Sequence, residues 1–123
     1  MKKVIIYGIV VFFISLSCSK DETNSNENTI IDSIDTISTW AYTFQPSILN
    51  CNLGDTVYFE LGGSHNTIEV GEDTYNANLS IPIMNGFEFG YGESGFFIPL
   101  ESKTYFYVCT PHLPEMKGKI IVN

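Results

Sequence analysis

The chain has 123 residues, of which 44% are hydrophobic and 14% aromatic, which is enough for one small domain. Its 6 basic residues, all lysines, stand against 14 acidic ones, so the formal charge is −8. This balance excludes nucleic-acid binding, because contact with phosphates requires clusters of basic residues. It also favours partners with basic surfaces.

The first residues have the pattern of an export signal. Two lysines follow Met1, and residues 4–16 form an apolar run of 13 residues that ends shortly before Cys18. A membrane-spanning helix needs about 20 apolar residues. We therefore predict that residues 1–17 are a signal peptide, with a true anchor helix as the alternative.

Cys18, with the small residue Ser17 before it, resembles the cleavage box of bacterial lipoproteins, in which the cysteine becomes the lipidated N-terminus. The usual box has Leu three residues before the cysteine, where this chain has Ser15. Residues 19–22 resemble an acidic signal for the cell surface. The resemblance implies a protein of the cell envelope, facing the periplasm or at the outer cell surface. Its membrane contact would be through the N-terminal lipid only.

Residues 18–37 are polar and acidic, and they contain few apolar residues without a sustained period. This composition predicts a flexible tether. The alternative is that residues 30–37 add an edge strand to the domain. The domain itself is predicted to span residues 38–123.

From there on, short β-type runs are separated by Gly, Asn, Asp or Pro. Alternating residues within several runs predict that each strand buries one face. Residues 72–95 have no clean period and are predicted to form long loops with one helical turn at 72–75. Together, these short runs predict an all-β fold, an antiparallel Greek-key β-sandwich of about seven to eight strands. The predicted strands are residues 39–44, 48–52, 56–61, 67–70, 96–99, 103–108 and 117–122.

Three potential soft metal ligands lie close together near the C-terminus. Cys109, His112 and Met116 fall in a loop between two predicted strands. The other of the chain's 2 histidines, His65, follows another strand that pairing could bring alongside. Two imidazoles and a thiolate with a weak axial thioether suit an ion that cycles between Cu(I) and Cu(II). The pattern predicts a site for one copper ion.

Three blocks of sequence resemble the cupredoxins of the plastocyanin, pseudoazurin and amicyanin group. They are residues 44–57, the pair His65-Asn66, and residues 109–122, which begin Cys-Thr-Pro-His. Together they extend over almost the whole predicted domain. The resemblance implies a cupredoxin fold.

The resemblance also implies a role for each residue of the site. His65, Cys109 and His112 would be equatorial copper ligands, and Met116 the long axial ligand. Asn66 would tie the two ligand loops together beside the thiolate. Three residues separate His112 from Met116, whereas plastocyanin and pseudoazurin usually have four and amicyanin has two. A loop of this length could shift the Met116 sulfur and with it the reduction potential, or leave Glu115 nearby as a competing oxygen donor.

The same residues allow other interpretations. Cys, Met and a lone His are each more often core residues than ligands, but together all four fall on one family's ligand positions. Zinc is the alternative metal, although Met is a poor zinc ligand and the chain has no second paired cysteine. A disulfide between Cys51 and Cys109 is possible in an oxidising compartment. We interpret Cys51 instead as an inert thiol in the core.

The resemblance implies a type 1 copper protein that carries single electrons in the cell envelope and is not an enzyme. No motif for hydrolytic catalysis is present. The implied electron port is His112 with Pro111, Leu113 and Pro114, and the implied partners are redox proteins with a basic docking surface. We expect a monomer. Copper storage or delivery by the same site is the alternative function, and a metal-free adhesion module is the third.

Overall fold

The computed structural model describes residues 34–123. The predicted signal peptide, the lipidation site Cys18 and most of the predicted tether lie outside these residues. Within them, no helix is long and apolar enough to cross a membrane.

Short strands make up most of the described chain. One helix, α1, and one turn of 3-10 helix, residues Thr110–His112, interrupt them. The strands and the helix in chain order are β1 Ile34–Trp40, β2 Thr43–Gln45, β3 Ile48–Cys51, β4 Thr56–Glu60, β5 Thr67–Val70, α1 Glu72–Asn76, β6 Glu88–Phe89, β7 Ser94–Phe97, β8 Thr104–Val108 and β9 Lys117–Val122.

The strands form two sheets that pack face to face. The first has the order β2-β1-β4-β7, and the second has the order β3-β9-β8-β5-β6. The predicted all-β sandwich is confirmed, and so is the helical turn after residue 71. Two details of the prediction are wrong. The sheets are mixed, because β1 pairs with β4 and β3 with β9 in parallel, and the described region has nine strands.

The N-terminal boundary of the sandwich differs from the prediction. β1 begins at Ile34, so residues 34–37 belong to the first sheet although the prediction placed them in the tether. They do not form an edge strand, because β1 lies between β2 and β4. Ile37 is fully buried, which favours the pairing of this segment with the sheet.

A turn also divides the strand predicted over residues 39–44. Ala41 has a φ of 51°, a left-handed conformation that is uncommon outside glycine. It reverses the chain at residues 41–42, so that β1 and β2 form an antiparallel hairpin with Thr39 opposite Phe44. The hairpin tip carries Tyr42 at the end of the sandwich where the candidate ligands lie.

The core lies between the sheets and follows the alternation seen in the sequence. The first sheet contributes the buried side chains of Val57 and Phe59, and Leu61 directly after β4 is buried as well. The second sheet contributes Tyr105 and Tyr107. Rings meet edge to face across the interface, since the Phe59 and Tyr107 centroids are 5.4 Å apart at 88°. Such pairs stabilise a core beyond the area that they bury.

Tyr107 makes one glycine indispensable. It lies opposite Gly118 in the β8–β9 register, and its ring passes directly over this residue. A Cβ atom at Gly118 would overlap the ring and hydroxyl of Tyr107. The Tyr107 side chain is fully buried, so it can move away only by displacing packed neighbours.

We expect Gly118→Ala to lower the free energy of unfolding by about 1–3 kcal/mol, as overpacking of a core does. Gly63→Ala is the matched control, because a Cβ there meets no atom within 4 Å. Urea denaturation of the two variants checks the prediction. Equal stability of both variants would contradict it.

One carboxyl group faces the interior. Glu69, in β5, is 5% exposed, and its Oε2 accepts a hydrogen bond from the Phe87 backbone N–H at 3.1 Å. Burial raises the pKa of Glu69, and the bond from Phe87 offsets part of this rise. The raised pKa means that ionised Glu69 costs the folded state free energy.

Folding stability should therefore fall as the pH rises above the ordinary pKa of 4.5, because the unfolded carboxyl loses its proton first. Glu69→Gln keeps an acceptor for Phe87 and removes the ionisation. We expect the Tm of this variant to exceed that of the wild type by a margin that grows from pH 4.5 upward and then levels off. Glu88→Gln, at an exposed site on β6, is the control, and equal effects of both substitutions would refute the prediction.

Candidate metal centre

A loop between β8 and β9 carries three of the four predicted ligands. Cys109 directly follows β8, His112 ends the 3-10 turn, and Met116 directly precedes β9. Three backbone hydrogen bonds hold the loop: Cys109 N–H to Met116 O at 3.0 Å, His112 N–H to Cys109 O at 3.3 Å, and Met116 N–H to His112 O at 2.9 Å. Backbone geometry thus places the three residues close together.

His65 approaches from the turn between β4 and β5. Its N–H donates to Gly62 O at 2.9 Å, and its carbonyl accepts from Gly92 N–H at 3.0 Å. Gly62 leaves room for the imidazole, because a Cβ there would lie 3.2 Å from His65 Cδ2. Antiparallel pairing of β5 with β8 then brings this turn beside Cys109.

The side chains of His65, Cys109 and His112 form a triangle of donor atoms. The two Nδ1 atoms are 3.1 Å apart, and Cys109 Sγ lies 3.9 Å from His65 Nδ1 and 3.4 Å from His112 Nδ1. A metal bound by nitrogen at about 2.0 Å and sulfur at about 2.3 Å needs ligand separations of about 3–4 Å. The triangle meets this requirement.

Met116 completes a donor set suited to copper. It is fully buried in the same core cluster as Cys109, whereas its neighbour Glu115 is exposed. A buried thioether beside two imidazoles and a thiol offers soft and borderline donors, which copper prefers. His65, Cys109, His112 and Met116 are thus positioned to form a copper site.

Asn66 joins the two ligand-bearing segments. Its Oδ1 accepts hydrogen bonds from Thr110 N–H at 2.9 Å and from Thr110 Oγ1–H at 3.2 Å. Asn66 follows His65 and Thr110 follows Cys109, so these bonds fix the two ligands relative to each other. This is the contact that the sequence resemblance implied for Asn66.

Burial controls the protonation of the ligands. It raises the pKa of Cys109, while hydrogen bonds from the backbone of Asn66 and His112 partly offset the rise. Burial is the main cause that lowers the pKa of His65, and the nearby charge of His112 lowers it further. The neutral imidazole needed for metal binding is therefore favoured at His65, whereas a metal must displace the proton of Cys109.

Cys51 and Cys109 are both free and buried, so the alternative of a disulfide between them is excluded. Burial is also the largest cause that raises the pKa of Cys51, and the negative charges of Asp55 and Asp35 raise it further. A protonated, enclosed thiol is unreactive. This agrees with the interpretation of Cys51 as an inert core residue.

One residue at the site was missed by the sequence analysis. The ring of Tyr42 lies on that of His112, with centroids 4.7 Å apart and planes at 46°. Tyr42, Pro111, His112, Leu113 and Glu115 line a surface groove beside the centre. No sequence signal pointed to Tyr42, because its position depends on a hairpin turn that was predicted as continuous strand.

Comparisons with known proteins agree with this geometry. Residues 33–123 match the model of a family described as copper binding proteins, plastocyanin/azurin family. The chain belongs to the plastocyanin/azurin family of copper-binding proteins. The predicted cupredoxin identity is thereby confirmed.

Solved structures of this family have the same fold. A pseudoazurin from Hyphomicrobium denitrificans is 20% identical with a TM-score of 0.58, and 74% of this chain and 76% of that one are covered. Amicyanin from Paracoccus versutus is 22% identical with a TM-score of 0.52, and 74% of this chain and 82% of that one are covered. A reduced amicyanin variant is 24% identical with a TM-score of 0.54, covering 77% and 87%. No curated protein sequence matches the chain.

We expect Asn66→Ala to lower the free energy of unfolding by about 1–3 kcal/mol, because it leaves the partly buried Thr110 N–H without its acceptor. Thr110→Val is the matched comparison, since it removes only the hydroxyl donor and keeps the N–H bond. Chemical denaturation should place Thr110→Val between the wild type and Asn66→Ala. A larger loss in Thr110→Val would contradict the assigned role of Asn66.

Proposed function

We propose that this protein is a type 1 copper protein that carries single electrons between redox proteins of the cell envelope. The observation that carries the proposal is the triangle of His65, Cys109 and His112, two of them buried, in a chain of the plastocyanin/azurin family. The proposed ligands are these three residues in the equatorial positions and Met116 in the axial position. When bound, copper supplies the exchange of one electron between Cu(I) and Cu(II).

The chain's own residues hold the ligands and exclude water. Loop hydrogen bonds and the Asn66–Thr110 contact restrain the ligand positions, so that neither oxidation state can impose its preferred geometry freely. Cys109 and Met116 are fully buried, which keeps solvent from these two ligands. A restrained, dry site has little to rearrange when an electron arrives or leaves.

His112 is the proposed port for electrons. It is the partly exposed member of the triangle, and it lines the surface groove with Pro111 and Leu113. An electron partner that docks there comes within contact of a copper ligand. The proposed port therefore joins the buried centre to the surface through a single side chain.

Charge supports a basic docking surface on the partner. Glu115 lines the groove beside His112. The described lysines are engaged elsewhere: Lys117 Nζ donates to Asn78 Oδ1 at 2.7 Å, Lys119 Nζ lies over Tyr75, and Lys103 pairs with Glu101. With a formal charge of −8, the protein would attract a positively charged partner by electrostatic steering.

The proposed location follows from the N-terminal sequence. Export by residues 1–17 and lipidation at Cys18 would place a monomeric domain at a membrane surface, held by acyl chains. Mass spectrometry of the purified chain tests this directly. An acylated N-terminus at Cys18 supports the proposal, and an unprocessed Met1 contradicts it.

The visible absorption spectrum of the purified chain, after Cu(II) is added and excess metal removed, tests copper binding. We expect an intense blue or green band from the copper–thiolate bond, with one copper per chain. Cys109→Ser should abolish this band. Cys51→Ser is the matched control, because Cys51 is equally a buried thiol but lies outside the triangle, and it should keep the band.

Redox cycling then decides between electron transfer and copper storage. An electron carrier should be reduced and reoxidised repeatedly, with the band lost and regained and copper retained. Release of copper on reduction would favour storage or delivery instead. A folded wild-type chain without any band would remove the electron-transfer proposal.

A further inference from the structure

Tyr42 packs against the His112 imidazole. It stands at the tip of the β1–β2 hairpin, which the left-handed Ala41 turns back, and the Thr43 hydroxyl donates to Trp40 O at 2.8 Å across the turn. The ring centroids of Tyr42 and His112 are 4.7 Å apart at 46°. A residue from the first sheet thus contacts a ligand that the second sheet carries.

The loop alone leaves the orientation of the His112 ring incompletely determined. Its backbone bonds to Cys109 and Met116 fix where the side chain begins but not how the ring is turned. On one side the ring meets His65, with centroids 4.8 Å apart. The groove lies beside it, and there Tyr42 is the aromatic residue in contact with His112.

We propose that Tyr42 is a positioning residue, which holds the His112 ring so that Nδ1 stays directed at Cys109 Sγ and His65 Nδ1. The effect of this contact on metal binding rests on the proposed copper site, since a ring held in this way keeps His112 bound to the metal. The ring contact itself rests on geometry alone and does not require copper. Tyr42 also narrows access to His112 from the groove.

The contact is made by the ring and not by the hydroxyl. Aromatic pairs attract one another in tilted arrangements at this separation, in addition to the area that they bury. Tyr42 is 61% exposed, so its side chain contributes little to the core. A substitution that preserves the ring should therefore preserve the function, and one that removes it should leave the fold intact.

Tyr91 offers a matched control at the same end of the molecule. It is 60% exposed, nearly as much as Tyr42, and its hydroxyl lies 3.4 Å from Thr110 Oγ1 on the same ligand loop. It forms no ring contact with either histidine among the aromatic pairs of residues 34–123. If the substitutions merely loosen the surface of the loop, Tyr91→Leu should have the same effect as Tyr42→Leu. If the ring contact with His112 is what matters, only Tyr42→Leu should have an effect.

Proton NMR of the His112 imidazole tests the contact without copper. In the metal-free chain, we expect His112 ring protons displaced by the ring current of Tyr42, and the same displacement in Tyr42→Phe and Tyr91→Leu. Tyr42→Leu should return these protons toward the shifts of a free imidazole. Unchanged shifts in Tyr42→Leu would overturn the contact itself.

The rate at which excess EDTA removes Cu(II), followed through the thiolate band, tests the consequence. We expect Tyr42→Leu to lose copper about two- to tenfold faster than the wild type, from the usual strength of an aromatic pair. Tyr42→Phe should restore the wild-type rate, and Tyr91→Leu should match it. A wild-type rate in Tyr42→Leu, or an equal acceleration in Tyr91→Leu, would overturn the positioning role.

These results separate the two proposals. If the wild-type chain gives no thiolate band, the copper function fails, while the metal-free spectra still decide whether Tyr42 holds the ring. If the band is present and the rates do not differ, the copper function stands and the role of Tyr42 falls. Far-ultraviolet circular dichroism of each variant shows that its β-sheet is retained.

Discussion

The structure depends above all on the short loop that joins β8 to β9. Antiparallel pairing of these strands fixes both ends of the loop, and its three internal backbone hydrogen bonds fix the path between them. Cys109 and Met116 therefore occupy adjacent positions at the end of the core for reasons that do not involve a metal. The ligand positions are set by the same hydrogen bonds that complete the sheet, so the site is formed as the domain folds.

Burial gives this arrangement its chemistry. The triangle lies at the end of the aromatic core, where Cys109 is fully buried and the environment disfavours its thiolate. A metal that replaces the thiol proton supplies the positive charge that the surroundings lack. The second ligand segment adds restraint through Asn66, which links His65 to the loop. Exposure is confined to His112, so the centre communicates with solvent at one place, the groove that Tyr42 and Glu115 border.

The sequence was most informative where the chemistry is local. Cys109, His112 and Met116 fall within one loop, so their spacing alone predicted a shared site, and the alternation around Val57 and Tyr107 predicted the buried faces. Features that depend on distant pairing were not predicted. The parallel contact of β1 with β4 makes residues 34–37 part of the sheet, although the prediction placed them at the end of the polar tether. β6 has two residues and no period to detect. Tyr42 became part of the site only through a turn at Ala41, a residue type that rarely signals a left-handed turn.

We propose that the fold holds one ligand set in place for both oxidation states of copper. X-ray absorption at the copper edge, measured on the purified chain in the Cu(II) and the Cu(I) form, tests this most directly. We expect two imidazole nitrogens and one short thiolate sulfur in both forms, with nearly unchanged distances. Loss of the His112 nitrogen or of the thiolate on reduction, or a four-coordinate site without sulfur, would contradict it.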